Sequence, residues 1–273
     1  MSDRPKELVF ELTARCNYHC PFCCCVWHED PSLAEPERDT AFWRKQIRRC
    51  AQEGTKRILF SGGEVLMRDD CKELFRFARE ELPEASLELF TNGSRLTEGI
   101  LNFCKKYEIR LAITLLGVRL QTHREMTGTY RTCRRTLEWI SRGAEIGWNF
   151  SVGMTATREN ASEFGDMFAA AVLAGARFIQ MGAMRPEGRG RECPGLALTP
   201  AEWERVKEEI RSLPDARVPY EFCDEMVCTC RPQPERLLKK FGAARQEPCA
   251  AGREFGVIGP NGRYRKCLHA LTA

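Results

Sequence analysis

The sequence predicts an α/β protein: a partial (β/α)6 barrel followed by a small, cysteine-rich C-terminal subdomain. Short β-like runs alternate six times with amphipathic helical stretches, which indicates a parallel sheet with right-handed crossovers. Eight such units complete a barrel, so six leave it open. After Gly190 the alternation stops, and the segment from about Val218 to Ala273 is irregular and holds five cysteines. We therefore expect a barrel domain over residues 1–195 and a helix plus a metal-ordered subdomain over 196–273.

The elements follow from local patterns. Trp43, Ile47 and Cys50 recur at helical spacing, Asp39 precedes them as an N-cap, and Gly54 follows as a C-cap. Asn160 is a second predicted N-cap. The predicted strands are 8–12, 57–60, 86–90, 110–115, 149–155 and 177–181; the further predicted helices are 71–82, 96–107, 130–146, 161–174 and one that follows Thr199 and Pro200.

Composition excludes several classes of protein. The chain has 273 residues with 42 basic and 38 acidic side chains, and this net charge of +4 is too small and dispersed to indicate nucleic-acid binding. No run approaches the eighteen apolar residues of a membrane span, and the N-terminus lacks the apolar core of a signal peptide. We expect a cytoplasmic protein without a membrane or nucleic-acid partner.

The fifteen cysteines are the most unusual feature of the composition. Without an export signal, and in a chain of this size, they indicate metal ligation or thiol chemistry rather than a disulfide framework. Some need no role: Cys50, Cys71, Cys104 and Cys133 each occur singly in helical patterns, where a buried thiol is a small hydrophobic group.

Three of the cysteines, Cys16, Cys20 and Cys23, lie in the loop after the first strand. Three thiolates within eight residues can bind three irons of a four-iron, four-sulfur cube and leave the fourth iron open. Coincidence in a cysteine-rich chain and a zinc site are the alternatives. Zinc sites prefer paired C-x2-C spacings and four ligands, and the position directly after a strand favours the cluster.

The second strand ends in Gly62-Gly63-Glu64. Paired glycines let a ligand approach the backbone closely, and the carboxylate of Glu64 can accept a hydrogen bond from an ammonium group. Alone, these three residues are more simply an ordinary turn. One strand after a three-cysteine loop, they indicate a ligand site.

Together, C-x3-C-x2-C and the following GGE resemble the signature of the radical S-adenosylmethionine (SAM) superfamily. The resemblance implies that the open iron chelates the amino and carboxylate groups of the SAM methionine. Cleavage of SAM then yields a 5′-deoxyadenosyl radical, which abstracts hydrogen from a substrate. It also implies that Phe22 lies near the adenine, and that Gly62, Gly63 and Glu64 lie near the methionine amino group.

Later motifs resemble those of the SPASM/Twitch group, which matures peptides or modifies small molecules. They are Thr91-Asn92-Gly93, the segment 113–117, His123, Arg134-Arg135, Asn160 and the segment 185–190. By this resemblance Thr114 and Arg135 hold the SAM carboxylate, and Asn92 belongs to the same cofactor site.

The C-terminal cysteines match part of the SPASM pattern. Cys249-Ala-Ala-Gly252 and Gly262-x4-Cys267 resemble its opening half, and an Asn261-Gly262 turn between 257–258 and 264–265 would bring the two thiols together. The downstream ligands usual in the group are absent from this sequence. The resemblance therefore implies one auxiliary [4Fe-4S] cluster, with Cys249, Cys267 and two of three upstream residues as ligands: Cys223, Cys228 and Cys230.

The chain departs from the group at three positions. Leu116 replaces a common acidic residue, Val65 stands where proline usually follows GGE, and Leu268 follows Cys267 where some peptide-oxidising relatives have aspartate. No catalytic base is therefore predicted. His269 is more simply a satisfied polar residue than a ligand.

The favoured hypothesis is a radical SAM maturase acting on a ribosomally made peptide. The alternatives are a small-molecule dehydrogenase or epimerase of the Twitch type and a non-catalytic iron–sulfur or zinc protein. The last accounts for the cysteines but not for GGE, the fourth-strand motif or the segment 185–190. We expect an electron donor such as flavodoxin or ferredoxin. Because only about seven residues precede the first strand, we also expect peptide recognition by a separate protein.

Overall fold

The computed structural model describes residues 5–130, 133–148, 150–213, 218–224 and 250–271. Three of the predicted cluster ligands, Cys228, Cys230 and Cys249, lie outside these described residues.

The described residues form strands and helices in alternating order. The strands are β1 Glu7–Thr13, β2 Arg57–Gly62, β3 Ser86–Thr91, β4 Ile109–Leu115, β5 Phe150–Ala156, β6 Phe178–Ala183, β7 Tyr220–Cys223, β8 Phe255–Ile258 and β9 Tyr264–Arg265. The helices are α1 Thr40–Glu53, α2 Cys71–Glu81, α3 Glu98–Lys106, α4 Leu120–Thr127, α5 Cys133–Glu145, α6 Phe164–Leu173 and α7 Pro200–Ser212.

The strands form one sheet in the order β7-β6-β5-β4-β3-β2-β1-β8-β9. All neighbouring pairs are parallel except β8 and β9, so the six predicted strands and the partial-barrel fold class are confirmed. Parallel strands end at the same edge of a sheet. The loops that follow β1, β2, β3 and β6, which carry the sequence motifs, therefore meet at that edge.

The two faces of the sheet differ. On the outer face, Phe10 packs against Trp43 of α1 with ring centroids 5.2 Å apart, and Phe60 packs against Phe75 of α2 at 4.7 Å. Near its centre, the inner face carries small or polar side chains. Thr114 of β4, for example, pairs with Gly153 of β5, and a Cβ added to Gly153 would meet nothing within 4 Å. The helices thus bury one face, and the inner face keeps open space.

Helix α1 has the predicted ends. The Asp39 side chain accepts a hydrogen bond from the Phe42 backbone N–H (2.8 Å), and Gly54 adopts the left-handed conformation at φ 69°. Helix α4 was not predicted, because it is only eight residues long and its N-cap, Arg119, makes no side-chain capping hydrogen bond.

Asn160 corrects one prediction. It precedes a short 3-10 turn, but its side chain makes no capping hydrogen bond. The amide instead accepts from the Thr157 N–H (2.8 Å) and donates to the carbonyls of Leu116 (3.2 Å) and Thr155 (2.9 Å). Asn160 is fully buried. It therefore joins the ends of β4 and β5.

The C-terminal residues also differ from expectation. The predicted β8–β9 hairpin is present, with Gly262 at φ 80°, but β8 pairs with β1 as a strand of the main sheet. Its turn is held by Arg38, whose Nε donates to the Asn261 carbonyl (2.8 Å), and by Asn261, whose side chain donates to the Ser32 carbonyl (2.8 Å). Strand pairing and burial therefore contribute to the order of the described part of this segment, for which the sequence suggested that metal ligation supplies much of the order. The domain division at residue 195 stays a prediction.

None of the helices in the described part of the chain is both long and apolar enough to cross a membrane.

Asn160→Ala tests the junction of β4 and β5. The substitution leaves two carbonyls and one N–H buried without partners, and we expect it to lower the free energy of unfolding by about 1–3 kcal/mol. Urea unfolding followed by circular dichroism measures this. Asn102→Ala, on the exposed face of α3, is the matched control and should change stability by less than about 0.5 kcal/mol. Equal stability of the two variants would contradict the assigned role.

Candidate functional site

The cysteine loop follows β1 at the carboxyl edge of the sheet. Cys16, Cys20 and Cys23 are all partly buried. Burial, together with the charges of Cys23 and Cys16, raises the pKa of the Cys20 thiol. Burial likewise raises the pKa of Cys16, whereas hydrogen bonds from Cys25 and His28 lower the pKa of Cys23. A cationic centre is therefore needed to hold all three as thiolates, chiefly for Cys16 and Cys20. This donor set fits a [4Fe-4S] cluster with one open iron.

A mononuclear zinc site is not found in the part of the chain that the structure describes. There, no three His, Cys, Asp or Glu side chains come together so as to hold one metal ion. Cysteine ligands of a cube bind different irons and need not converge on a single point.

Gly62 and Gly63 lie directly on the start of the cysteine loop. The Gly63 N–H donates to the Thr13 carbonyl, and the Glu64 N–H donates to the Arg15 carbonyl, both at 2.8 Å. A Cβ added to Gly63 would lie 2.3 Å from the Arg15 carbonyl oxygen. The sequence suggested that glycine admits a ligand here. The structure shows that it admits the backbone of the cysteine loop.

Glu64 is fully buried and links the ends of β2 and β3. Its Oε1 accepts from the Thr91 hydroxyl, and its Oε2 accepts from the Asn92 N–H, both at 2.8 Å. Burial raises the pKa of this carboxyl, and the hydrogen bond from Asn92 acts in the opposite direction. The predicted contact with the SAM ammonium group would therefore add to an existing set of hydrogen bonds.

Asn92 connects β3 to the cysteine loop. Its Nδ2 donates to Asn17 Oδ1 (3.1 Å) and lies 3.9 Å from Cys16 Sγ. Its Oδ1 accepts from the Ser94 N–H (2.9 Å), while Asn17 Nδ2 donates to the Ser94 hydroxyl (2.8 Å). The side chain predicted at the cofactor site thus lies beside a predicted cluster ligand.

Helix α4 packs against the middle of the same loop. The His19 N–H donates to the Thr127 carbonyl (2.9 Å), and the Tyr18 ring meets the His123 ring edge-on at 6.0 Å. Burial lowers the pKa of His123 to about 4, so this imidazole is neutral at physiological pH. The unpredicted helix therefore supports the cysteine loop through packing rather than charge.

The loop after β6 closes on the cysteine loop from the other side. The Arg189 N–H donates to the Cys23 carbonyl (2.8 Å), and Arg189 Nη1 donates to the Cys20 carbonyl (3.3 Å). Gly188 has φ 56°, and a Cβ there would lie 2.5 Å from the Cys23 carbonyl oxygen and 2.7 Å from that of Cys25. The sequence motif 185–190 is thus a clamp on the backbone of the cysteine loop.

The remaining predicted cofactor residues are more dispersed. Thr114 lies on the inner face of β4, and Phe22 is partly buried against the core. Arg135 is exposed on α5, where it donates to the Leu96 carbonyl (3.3 Å) and lies over the Trp139 ring at 6.0 Å. The structure therefore gives Arg135 contacts with α5 and the loop after β3 rather than with Thr114.

A second cysteine region lies at the C-terminus. Cys267 is buried together with Ala270, Ala251 packs against this pair, and Cys267 Sγ accepts from the His269 N–H (3.3 Å). His269 Nε2 lies 2.8 Å from Nη1 of Arg185, which follows β6. Cys223 ends β7, next to β6. The Arg185–His269 contact thus joins the β6–β7 side of the sheet to the segment that carries Cys267.

The sequence did not predict a buried ion pair on the inner face. Glu11 of β1 accepts from Nη2 of Arg265 in β9, and both side chains are almost fully buried. Burial raises the pKa of Glu11 to about 7, although Arg265 acts in the opposite direction. The available signal was a lone carboxylate in an otherwise apolar predicted strand. The partner was not predictable, because it lies 254 residues away.

Comparison with known proteins identifies the family. The sequence model of the radical SAM superfamily matches residues 10–171, which include the cysteine loop and GGE. The chain belongs to the radical SAM superfamily, whose enzymes bind SAM and a [4Fe-4S] cluster. The resemblance inferred from the motifs is confirmed.

The chain aligns with individual relatives over almost its whole length. It is 27% identical to an AdoMet-dependent heme synthase of Methanosarcina barkeri over 98% of this chain and 78% of the relative. It is also 27% identical to a PqqA peptide cyclase of Gluconobacter oxydans over 96% of this chain and 70% of the relative.

Solved structures share the fold. SuiB of Streptococcus suis bound to its precursor peptide SuiA superposes with a TM-score of 0.75 at 16% identity, covering 98% of this chain but only 60% of SuiB. The structure of anSMEcpe with bound AdoMet and a peptide superposes at 0.71 with 15% identity, covering 97% of this chain and 74% of that one. These similarities confirm the α/β partial-barrel fold.

Gly188→Ala tests the clamp on the cysteine loop. The new methyl group would overlap the Cys23 and Cys25 carbonyls, and the backbone is left-handed at this position. We expect the variant to lose most of the iron bound at the cysteine loop, because the loop must move to admit the methyl group. Iron and sulfide assays after anaerobic reconstitution measure this.

The control is Gly195→Ala, at an exposed position where a Cβ meets nothing within 4 Å. It should bind iron as the wild type does. Iron retention by Gly188→Ala equal to that of the control would show that the clamp does not hold the loop.

Proposed function

We propose that this protein uses a [4Fe-4S] cluster on Cys16, Cys20 and Cys23, together with SAM, to abstract hydrogen from a ribosomally made peptide. One observation carries the proposal. Three separate contacts converge on a single three-thiol loop at the carboxyl edge of an open sheet: GGE after β2, Asn92 after β3 and Gly188-Arg189 after β6. An electron-transfer protein has no need of the open inner face beside such a loop.

The chain's own residues would position and shield the reaction. When bound, the cluster supplies the electron that cleaves SAM to methionine and the 5′-deoxyadenosyl radical. Gly63 and Gly188 keep the cysteine loop in one conformation by close backbone contact. Thr114 and the space beside Gly153 provide room on the inner face for the cofactor. The other residues proposed at the SAM site remain Phe22, Gly62, Gly63, Glu64, Asn92 and Arg135.

A peptide substrate is supported by the similarity to a PqqA peptide cyclase and by the fold shared with SuiB and anSMEcpe, which were solved with peptides bound. The similarity to an AdoMet-dependent heme synthase favours a second candidate, a tetrapyrrole substrate. A small molecule of the Twitch type is a third. We also propose an electron donor such as flavodoxin or ferredoxin and a separate peptide-recognition protein.

We further propose one auxiliary [4Fe-4S] cluster, with Cys249, Cys267 and two of Cys223, Cys228 and Cys230 as ligands. The chain next to Cys249 supports this arrangement. Ala251 packs against the pair of Cys267 and Ala270, and a Cβ on Gly252 would meet the Lys266 side chain at 3.2 Å. The contact between Arg185 and His269 brings the β6–β7 side, where Cys223 lies, toward the same region.

The combined substitution Cys16→Ala/Cys20→Ala/Cys23→Ala tests the assigned ligands. It should abolish reductant-dependent formation of 5′-deoxyadenosine, because no cluster remains to deliver the electron, and leave the circular dichroism spectrum unchanged. Cys50→Ala/Cys71→Ala/Cys104→Ala removes three buried helical thiols instead and should retain activity. Undiminished 5′-deoxyadenosine from the first variant would refute the assignment.

The substrate class is tested by stimulation of SAM cleavage. With reduced flavodoxin, 5′-deoxyadenosine formation should rise at least tenfold when a precursor peptide encoded beside the gene is added, because substrate consumes the radical productively. Mass spectrometry of the peptide should show a change in mass. Stimulation by an iron-containing tetrapyrrole but by no peptide would instead establish the second candidate.

A further inference from the structure

The buried pair of Glu11 and Arg265 is not explained by the fold or by SAM cleavage. Glu11 is 3% exposed and Arg265 is 1% exposed. Removing both charges from water costs several kcal/mol per ion, and two well-packed apolar side chains in their place are often as stable or more so. The pair therefore calls for a reason other than stability.

The hydrogen bond to Glu11 does not use all the donors of the Arg265 guanidinium. Its Nη2 donates to Glu11, whereas its Nε and Nη1 are buried and have no hydrogen-bond partner among the described residues. A buried donor without an acceptor is destabilising. An acceptor beside these two atoms would therefore complete the arrangement.

Sulfur is the acceptor that the surroundings favour. Arg265 lies two residues before Cys267, and both side chains are buried. Glu11, which is bonded to Arg265, lies close enough to Cys267 and to Cys23 to interact electrostatically with both. The Glu11 carboxylate already accepts from Nη2, and the other acidic groups that act on Glu11 among the described residues are the thiols of Cys267 and Cys23.

We propose that Arg265 is a positioning residue whose Nε and Nη1 donate hydrogen bonds to sulfur of the cluster assigned to Cys267, with Glu11 as the counter-ion that orients the guanidinium. The inference rests on the auxiliary cluster proposed above. Hydrogen bonds to cluster sulfur stabilise the added electron and raise the reduction potential. The pair would thus help to set how readily the auxiliary cluster accepts an electron.

The same pair links the two cysteine segments. Strand β1, which carries Glu11, leads directly into Cys16, and strand β9, which carries Arg265, leads directly into Cys267. A fixed hydrogen bond between the strands keeps both segments in one relative position. An apolar pair of similar volume would pack there but would supply no donor to sulfur.

The double variant Glu11→Leu/Arg265→Met tests the proposal. It removes one charge of each sign, so the net charge is unchanged, and it leaves no unpaired ion to unfold the protein. Potentials are measured on the anaerobically reconstituted full chain by redox titration followed by electron paramagnetic resonance. The auxiliary cluster should become at least tenfold harder to reduce, which is about 59 mV for one electron. The potential of the SAM-binding cluster should change much less, because the pair is removed as a neutral unit and Arg265 is not proposed to donate to that cluster.

Two further variants sharpen the result. Arg265→Lys keeps the charge pair but loses the planar guanidinium, so the potential of the auxiliary cluster should shift by less than in the double variant. This variant also provides the measurement if the double variant does not retain the auxiliary cluster. The control is Arg57→Met/Glu88→Leu, which removes an ion pair of 2.7 Å between β2 and β3. It should change neither potential.

Three outcomes would overturn the inference: unchanged potentials in the double variant, equal shifts of both clusters, or a wild-type protein holding only about four irons. None of these tests depends on substrate. A protein that forms 5′-deoxyadenosine but holds a single cluster would overturn the role of Arg265 and leave the proposed radical SAM activity standing.

Discussion

Backbone carbonyls of the cysteine loop lie against glycine Cα atoms on two sides, and the rest of the site depends on this contact. The space that a Cβ would fill at Gly63 is taken by the Arg15 carbonyl, and the space at Gly188 is taken by the carbonyls of Cys23 and Cys25. No other residue type allows such an approach. Hydrogen bonds from the Gly63, Glu64 and Arg189 N–H groups then fix the position of the loop. The backbone thus fixes the course of the loop, and contacts such as that of Asn92 with Cys16 Sγ add to it at the thiols.

This arrangement explains why the motifs occur on different strands. A loop of ten residues that must present three thiols cannot hold itself rigid by local hydrogen bonds alone. In a parallel sheet, the loops after β2, β3 and β6 all end at the same edge as the loop after β1. Each supplies one restraint: a glycine pair, an asparagine and a glycine–arginine clamp. Three short loops from different strands therefore hold the cysteine loop in place.

Much of the fold and of the candidate site was predictable from the sequence, and the features that were not predictable have physical explanations. The strands and α1 followed from hydrophobic period and caps, because those signals are local. The role of Asn160 was missed, because a side chain that bonds strand-end carbonyls has the same local sequence as an N-cap. The residues of the site were found through their motifs, but the reason for Gly63 and Gly188 was not. A contact between backbone segments leaves no pattern in the sequence beyond glycine itself.

In the C-terminal segment, strand pairing and the proposed metal binding would both contribute to order. Few large apolar side chains follow Val218, which suggested order supplied by metal. Strand β8 instead pairs with β1, and Val257 and Ile258 are buried in the sheet. Pairing with β1 fixes the hairpin relative to the strand that leads to Cys16. It therefore helps to fix Cys267 relative to the cysteine loop. A cluster on Cys267 would then complete a geometry that the sheet had already set, and a buried arginine on β9 would face it from a position determined by strand register.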